Sequence, residues 1–202
     1  MNKISMAGVV VVMMLVSSAA MAAGGIRNSA HDFSHASWIG SAATNQICTP
    51  CHAPHNNINA SAQLLWNHTM SSNATYTMYS SPTFTNSPAA PSAQSKICLS
   101  CHDGTVALDS FGGASGTHFM TGAALVGTDM SNDHPISIDY GAGSATLGGL
   151  HLASLDSVKA LLRGGKVECG SCHDPHNDGT GTSKLLQMDN AGSALCLTCH
   201  NK

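Results

Sequence analysis

Charged and aromatic side chains are both scarce in this chain. Asp, Glu, Lys and Arg make up 9% of its 202 residues, against about 25% in an ordinary soluble domain. Phe, Trp and Tyr together contribute 4%, so large side chains cannot build an extensive core. With a formal net charge of −3 and only 8 basic residues, the chain lacks the Lys/Arg surface that a nucleic-acid-binding protein needs to neutralise phosphates. It is rich instead in Cys and His, with 8 and 12 residues.

The N-terminal residues predict export. Lys3 precedes an apolar run from Met6 to Val16, and Ala20-Met21-Ala22 offers an A-x-A cleavage site. The apolar run is too short to be a typical membrane span. We therefore expect residues 1–22 to be a cleaved secretory signal peptide and the mature chain to have no membrane span. An uncleaved N-terminal anchor is the alternative.

All eight cysteines fall into four copies of the pattern C-x-x-C-H, at residues 48–52, 98–102, 169–173 and 196–200. This pattern attaches c-type haem. The two thiols of one helical turn can add to the haem vinyl groups, and the adjacent His lies where it can bind the iron. Zinc sites and disulfides are alternatives for paired cysteines, but neither requires a His after every second Cys. The four copies therefore predict four haem c groups.

The predicted site residues follow directly from these motifs. The covalent attachment residues are Cys48, Cys51, Cys98, Cys101, Cys169, Cys172, Cys196 and Cys199, and the proximal iron ligands are His52, His102, His173 and His200. We expect a multihaem cytochrome c fold that is mostly coil, with short helices wrapped around four stacked haems. The porphyrins would then supply the apolar interior that the side chains lack.

The chain contains a degenerate internal repeat. Residues 48–56 resemble residues 169–177, and a Leu-Leu pair begins sixteen residues after the first Cys of each segment. We predict two dihaem modules, residues 23–130 with a Gly-rich linker and residues 131–202. The best predicted helix runs from Leu155 to Arg163 with Ser154 as its N-cap.

Each iron needs a sixth ligand, and eight His lie outside the motifs. His55 and His176 each follow a proximal His by three residues, with a Pro between that directs the chain away from its own haem. His31 and His134 precede matching positions of the two repeats. We rank these four as candidate distal ligands. A propionate hydrogen bond is the alternative role for His55 and His176, and Met is the alternative ligand type.

His68 is the fifth candidate distal ligand. It has no counterpart in the aligned second repeat, where Asp189 takes its place. If His68 binds an iron, one of the other four candidates must be free or must serve a neighbouring subunit.

Several segments resemble the doubled-CXXCH tetrahaem cytochromes. These include His31-Asp32-Phe33-Ser34, the CxxCHxPHN segment at 48–56, and the segments at 96–104 and 168–176. Within that family the chain is most similar to the OmcE-type outer-surface cytochromes of metal-reducing bacteria. The resemblance implies bis-His haems in a continuous stack, subunits polymerised into an extracellular conducting filament, and one distal His supplied by the neighbouring subunit. Terminal segments are the least tied to their own domain, so His31 is the expected crossing ligand.

One long segment of the chain contains no charged residue. From Phe33 to Ser95 there is no Asp, Glu, Lys or Arg over 63 residues. An uncharged surface favours self-association, because no charge has to be desolvated. The alternative is a loop region that simply wraps two haems.

Three function classes remain. The first is a filament subunit for long-range electron transfer, with copies of itself and external electron acceptors as partners. The second is a soluble periplasmic electron shuttle that meets other redox proteins. The third is a multihaem reductase, which needs an iron with an open coordination position. The surplus of His argues against that class, so we expect an exported, extracellular or cell-surface protein that is not an enzyme.

The sequence makes one direct prediction about the mature protein. It should carry four covalent haems and begin near Ala23, because four complete motifs follow an A-x-A cleavage site. The intact mass of the purified protein measures both properties. A mass with fewer than four haems, or with the leader retained, would contradict this prediction.

Overall fold

The computed structural model describes residues 25–39, 46–55, 65–73, 75–82, 84, 86, 90–140, 149–177 and 185–202. The signal peptide and Leu64 lie outside the described residues. Regular structure in the described ranges is sparse. The helices are α1 (Ala93–His102), α2 (Asp156–Leu161), α3 (Cys169–Cys172) and α4 (Ala194–Cys199), and the strands are β1 (Ile138–Asp139) and β2 (Lys166–Val167). Single 3-10 turns cover Phe33–His35, Gly122–Ala124 and Ala191–Ser193.

The helices carry the haem motifs, as expected. The second motif forms the last turn of α1, while α3 and α4 contain the cysteines of the third and fourth motifs. The first motif is a single turn, closed by a hydrogen bond of 2.7 Å from the backbone N–H of His52 to the carbonyl of Cys48. Each motif thus bends its two cysteines and its His around one short turn.

The predicted helix from Leu155 to Arg163 is real but shorter, and its predicted cap is wrong. The N-cap of α2 is Leu155 rather than Ser154, and no side chain caps the helix. The helix ends at Leu161 because Leu162 is extended, and Gly164 and Gly165 then turn the chain at φ of 62° and 80°. Val158 and Leu161 are its buried residues. The turn leads into β2, which pairs antiparallel with β1.

The internal repeat is visible in the backbone, with a shift of one residue. Ala53 donates a backbone hydrogen bond of 3.0 Å to Leu65, and Asp174 donates one of 2.7 Å to Leu185. Leu65 and Leu185 share a left-handed backbone, with φ of 54° and 61°. Leu185 is therefore the counterpart of Leu65, because the second loop is one residue shorter. The counterpart of His68 becomes Met188, so the sequence-based alignment of His68 with Asp189 is wrong.

The carboxylate of Glu168 joins the two halves of the chain. Its oxygens accept hydrogen bonds from the hydroxyls of Ser92 at 2.6 Å, of Ser137 at 3.0 Å and of Ser95. Glu168 is 1% exposed and directly precedes Cys169. Ser92 is the N-cap of α1, so this cluster fixes the helix of the second motif against the start of the third.

The side-chain core is small. Tyr76, Leu99 and Met130 form one buried cluster, with Met78 and Ile136 packed against it. The hydroxyl of Tyr76 donates a hydrogen bond of 2.6 Å to the buried Asp103. In the described part of the chain, no helix is long and apolar enough to cross a membrane.

Replacing Glu168 by Ala should destabilise the protein by roughly 3 kcal/mol, because three buried or half-buried hydroxyls lose their acceptor. The free energy of unfolding of the haem-loaded protein in guanidinium measures the loss. Asp156→Ala, which removes an exposed carboxylate from α2, is the matched control and should change stability by less than about 0.5 kcal/mol. Equal effects of the two substitutions would contradict the assigned role of Glu168.

Candidate haem-binding site

Three proximal His rings each face one of the candidate distal His rings. The ring centroids of His102 and His31 are 6.1 Å apart, and those of His52 and His176 are also 6.1 Å apart. The third pair is His200 with His134, at 6.2 Å. In every pair the two histidines come from different parts of the chain.

These separations suit two imidazoles that share one metal ion. A metal–imidazole bond is about 2 Å long and the ring centroid lies about 1 Å beyond the nitrogen, so two rings on opposite sides of one metal have centroids roughly 6 Å apart. No cluster of three or more His, Cys, Asp or Glu side chains suited to a metal ion occurs within the described ranges.

Two of these rings, those of His102 and His134, are held in place by hydrogen bonds to backbone carbonyls. Nδ1 of His102 donates to the carbonyl of Ala124 at 2.7 Å, and Nδ1 of His134 donates to the carbonyl of Pro135 at 2.9 Å. Such a bond fixes the tautomer in which Nδ1 carries the proton and Nε2 keeps its lone pair. Nε2 is therefore the nitrogen of each ring that can bind an iron.

His31 is held in its neutral form. Burial lowers the pKa of its imidazole to about 4, and the nearby rings of His102 and His173 act in the same direction. Burial also lowers the pKa of His173 and that of His200. A neutral imidazole has the free lone pair that a metal needs. The position of His31 against His102 of its own chain does not fit the expectation that it reaches a neighbouring subunit.

His55 and His68 are placed differently from the other candidates. His55 is exposed, and among the described residues neither it nor His173 has a ring partner at a comparable distance. His68 is 1% exposed, with Nδ1 at 2.9 Å from the carbonyl of Thr69 and Nε2 at 3.0 Å from the carbonyl of Ala107. Burial lowers the pKa of His68, and a neutral imidazole carries one N–H, so only one of these two carbonyls accepts its hydrogen bond. Nε2 also lies 3.5 Å from Sγ of Cys101 in the second motif.

Cysteines of successive motifs lie near one another, so the four motifs follow one another in space in the order in which they occur in the chain. Cys98 of the second motif lies within hydrogen-bond reach of Cys169 of the third, which raises the pKa of Cys98 and lowers that of Cys169. Burial raises the pKa of Cys101 in the second motif, and the nearby Cys51 of the first motif adds to that rise. The same holds for the third and fourth motifs, through Cys172 with Cys196 and Cys199.

All eight thiols are free, and most are partly buried. Burial raises the pKa of Cys51 to about 11 and that of Cys101 to about 12. These two side chains are therefore neutral thiols at physiological pH.

Comparison with known families supports this chemistry for the C-terminal part of the chain. Residues 160–202 match the family described as the doubled CXXCH motif, and they include the third and fourth motifs. The match indicates a multihaem c-type cytochrome. The motifs at 48–52 and 98–102 repeat the same pattern outside the matched range. No curated protein matches the chain.

The side chains around the motifs fit a bound haem. Two buried side-chain nitrogens have no hydrogen-bond partner in the described part of the chain, Nδ1 of His31 and Nε1 of Trp66. Both belong to rings that lie against a motif His, His102 and His52 respectively. Because buried polar atoms are rarely left unpaired, these two atoms mark places where the protein surrounds a group with hydrogen-bonding capacity of its own.

Sequence reasoning missed two residues that shape the site. Trp66 stands with its ring edge-on to His52, at 5.9 Å and 86°, and Glu168 fixes the third motif. The scarcity of Trp and of acidic residues is the one signal that could have singled them out. It carries no information about which motif each residue contacts.

Proposed function

We propose that this chain is an exported tetrahaem cytochrome that transfers electrons along its four motifs. The observation that supports this most strongly is the order of the attachment sites. Cys101 of the second motif lies 3.5 Å from His68, which follows by two residues the Trp66 that pairs with His52 of the first motif. Cys169 of the third motif donates from its backbone N–H to the hydroxyl of Ser95 in α1 at 3.2 Å, and Cys199 of the fourth motif adds to the burial that raises the pKa of Cys172 in the third. Haems attached in this order would follow one another through the protein. Electron transfer between redox centres depends on such proximity, and no substrate pocket is needed for it.

In this proposal the iron ligands come in pairs that cross the chain. His31 serves the haem of His102, His176 serves that of His52, and His134 serves that of His200. The bound haem supplies an iron that cycles between two oxidation states, and bis-His ligation gives it a lower potential than His/Met ligation. The role of the protein is to keep both axial positions occupied, which leaves no iron open to a substrate and makes the chain a carrier rather than an enzyme.

The fourth pair joins His173 to His55. The repeat supports this choice, because His176 of the second module faces His52 of the first, and His55 is the equivalent of His176. His134 and His176 are exposed as well, but each lies beside a motif His, whereas exposed His55 has no such ring beside it among the described residues. His55 is therefore the candidate best placed to reach His173 of a second copy. His68, with carbonyls at both ring nitrogens, is proposed as a structural residue instead.

Polymerisation into an extracellular conductive filament extends this proposal. The uncharged segment from Phe33 to Ser95 contains His55 and also Leu65, whose side chain is 51% exposed. Exposed apolar groups without nearby charge favour association with another copy. The signal-peptide pattern and the resemblance to outer-surface cytochromes support the location of such a filament outside the cell.

Replacing single histidines tests the ligand pairs. In His176→Ala, one iron of four should lose an axial ligand, so that the oxidised protein gains a high-spin signal and the reduced protein binds carbon monoxide at that haem. His55→Ala should do the same at a different haem and should also shorten or abolish filaments. Electron paramagnetic resonance, carbon monoxide difference spectra and negative-stain microscopy measure these effects.

The matched control is His35→Ala, which removes an exposed His that is not among the ligand candidates. It should leave all four haems low-spin and six-coordinate. Unchanged spectra in His176→Ala would refute the pairing with His52. Rapid carbon monoxide binding by the unsubstituted protein would instead favour a reductase.

A charge placed in the uncharged segment tests the filament. Leu65→Glu should reduce filament length several-fold, because the new carboxylate would have to be desolvated at the contact between copies. Leu152→Glu places the same charge on an equally exposed Leu, 54% exposed and outside that segment, and should leave filaments intact. Microscopy of the secreted protein measures both, and a strictly monomeric unsubstituted protein would favour the periplasmic shuttle.

A further inference from the structure

Trp66 has an indole N–H with no acceptor in the described part of the protein. Its side chain is 8% exposed, and Nε1 is buried without a hydrogen-bond partner. An indole N–H is a donor only, so it needs an acceptor and cannot be satisfied by another N–H. Leaving such a buried donor unpaired lowers the stability of the folded state. Folded proteins therefore rarely leave a buried indole N–H without an acceptor.

The backbone around Trp66 is fixed to the first motif. Trp66 forms a β-bridge with His52. The next residue, Asn67, donates from its backbone N–H to the carbonyl of Cys51 at 2.8 Å and from its side chain to the carbonyl of Thr49 at 2.8 Å. Trp66 is therefore tied to the first motif from both sides, and its ring stands edge-on to His52.

We propose that the Trp66 N–H donates a hydrogen bond to a propionate carboxylate of the haem attached at Cys48 and Cys51. This inference rests on the proposed function, because it requires a haem at the first motif. Propionates are the hydrogen-bond acceptors of the haem, and a bond to an ionised acceptor is stronger than a neutral one. Trp66 is a positioning residue in this role, which holds the haem edge and the proximal ring together.

The repeat provides an internal comparison. The structural counterpart of Trp66 is Leu186, which forms the equivalent β-bridge with His173 of the third motif. Leu has no N–H, so the haem of the third motif lacks this bond. At this position the two matched sites therefore differ by one hydrogen-bond donor.

Trp66→Phe keeps an aromatic ring and removes only the donor, and Trp66→Leu installs the residue of the other repeat. At about pH 8, far above an ordinary carboxyl pKa, the propionate stays ionised in all variants. Without the donor its negative charge is less compensated, which favours the ferric iron. One of the four reduction potentials should therefore fall in both variants, while the haem count by intact mass stays the same.

The matched control is Trp38→Phe, which removes the other indole of the chain. The Trp38 ring lies on Phe33 and His118 rather than on a motif His, so its loss should leave all four potentials unchanged. A second measurement uses the unsubstituted haem-loaded protein, in which nuclear magnetic resonance should show one indole N–H that exchanges slowly with solvent and disappears in Trp66→Phe.

Unchanged potentials in Trp66→Phe with all haems in place would overturn the inference. A haem-loaded structure in which Nε1 of Trp66 contacts water or a protein acceptor instead of a propionate would overturn it even if the variants failed to fold. A mature protein without covalent haem would overturn the proposed function itself. The failure of the inference and the failure of the function are thus separate outcomes.

Discussion

The hydrogen bonds to the Glu168 carboxylate fix the relation between the second and third motifs. In a chain with 11 acidic residues and a small side-chain core, this one is buried against hydroxyls from α1 and from the loop before β1. Bonds of this kind are directional, unlike apolar packing, so they set the angle at which α1 meets α3. Cys98 and Cys169 are neighbours as a consequence, and the attachment sites continue from one half of the chain into the other.

The imidazole pairs also connect distant parts of the chain. His31 lies on the second motif, His176 on the first and His134 on the fourth, so that no motif His faces a ring from its own turn. A small core of side chains is sufficient for such a protein if the cofactors fill the interior. The match of residues 160–202 to the doubled CXXCH motif agrees with a chain that has only a few short helices and strands.

The two repeats are more alike in backbone conformation than in the identity of their side chains. Leu65 and Leu185 have the same left-handed backbone, yet the next residue is Trp in one repeat and Leu in the other, and His68 corresponds to Met188. These positions contact the motifs directly. Equivalent backbone geometry therefore places different side chains beside the first and third motifs.

The sequence by itself determined the cofactor chemistry, because two thiols and an imidazole within five residues act through local geometry alone. The short turns at the motifs, the sparse secondary structure and the repeat were predictable for the same reason. The N-cap of α2 and the alignment of His68 were not, since the first is set by the turn in which Leu155 bonds to the carbonyl of Leu152 and the second by a loop one residue shorter. Only the tertiary structure decided which His faces which motif and where Trp66 and Glu168 lie, because these contacts join residues far apart in the chain, and no local pattern encodes them.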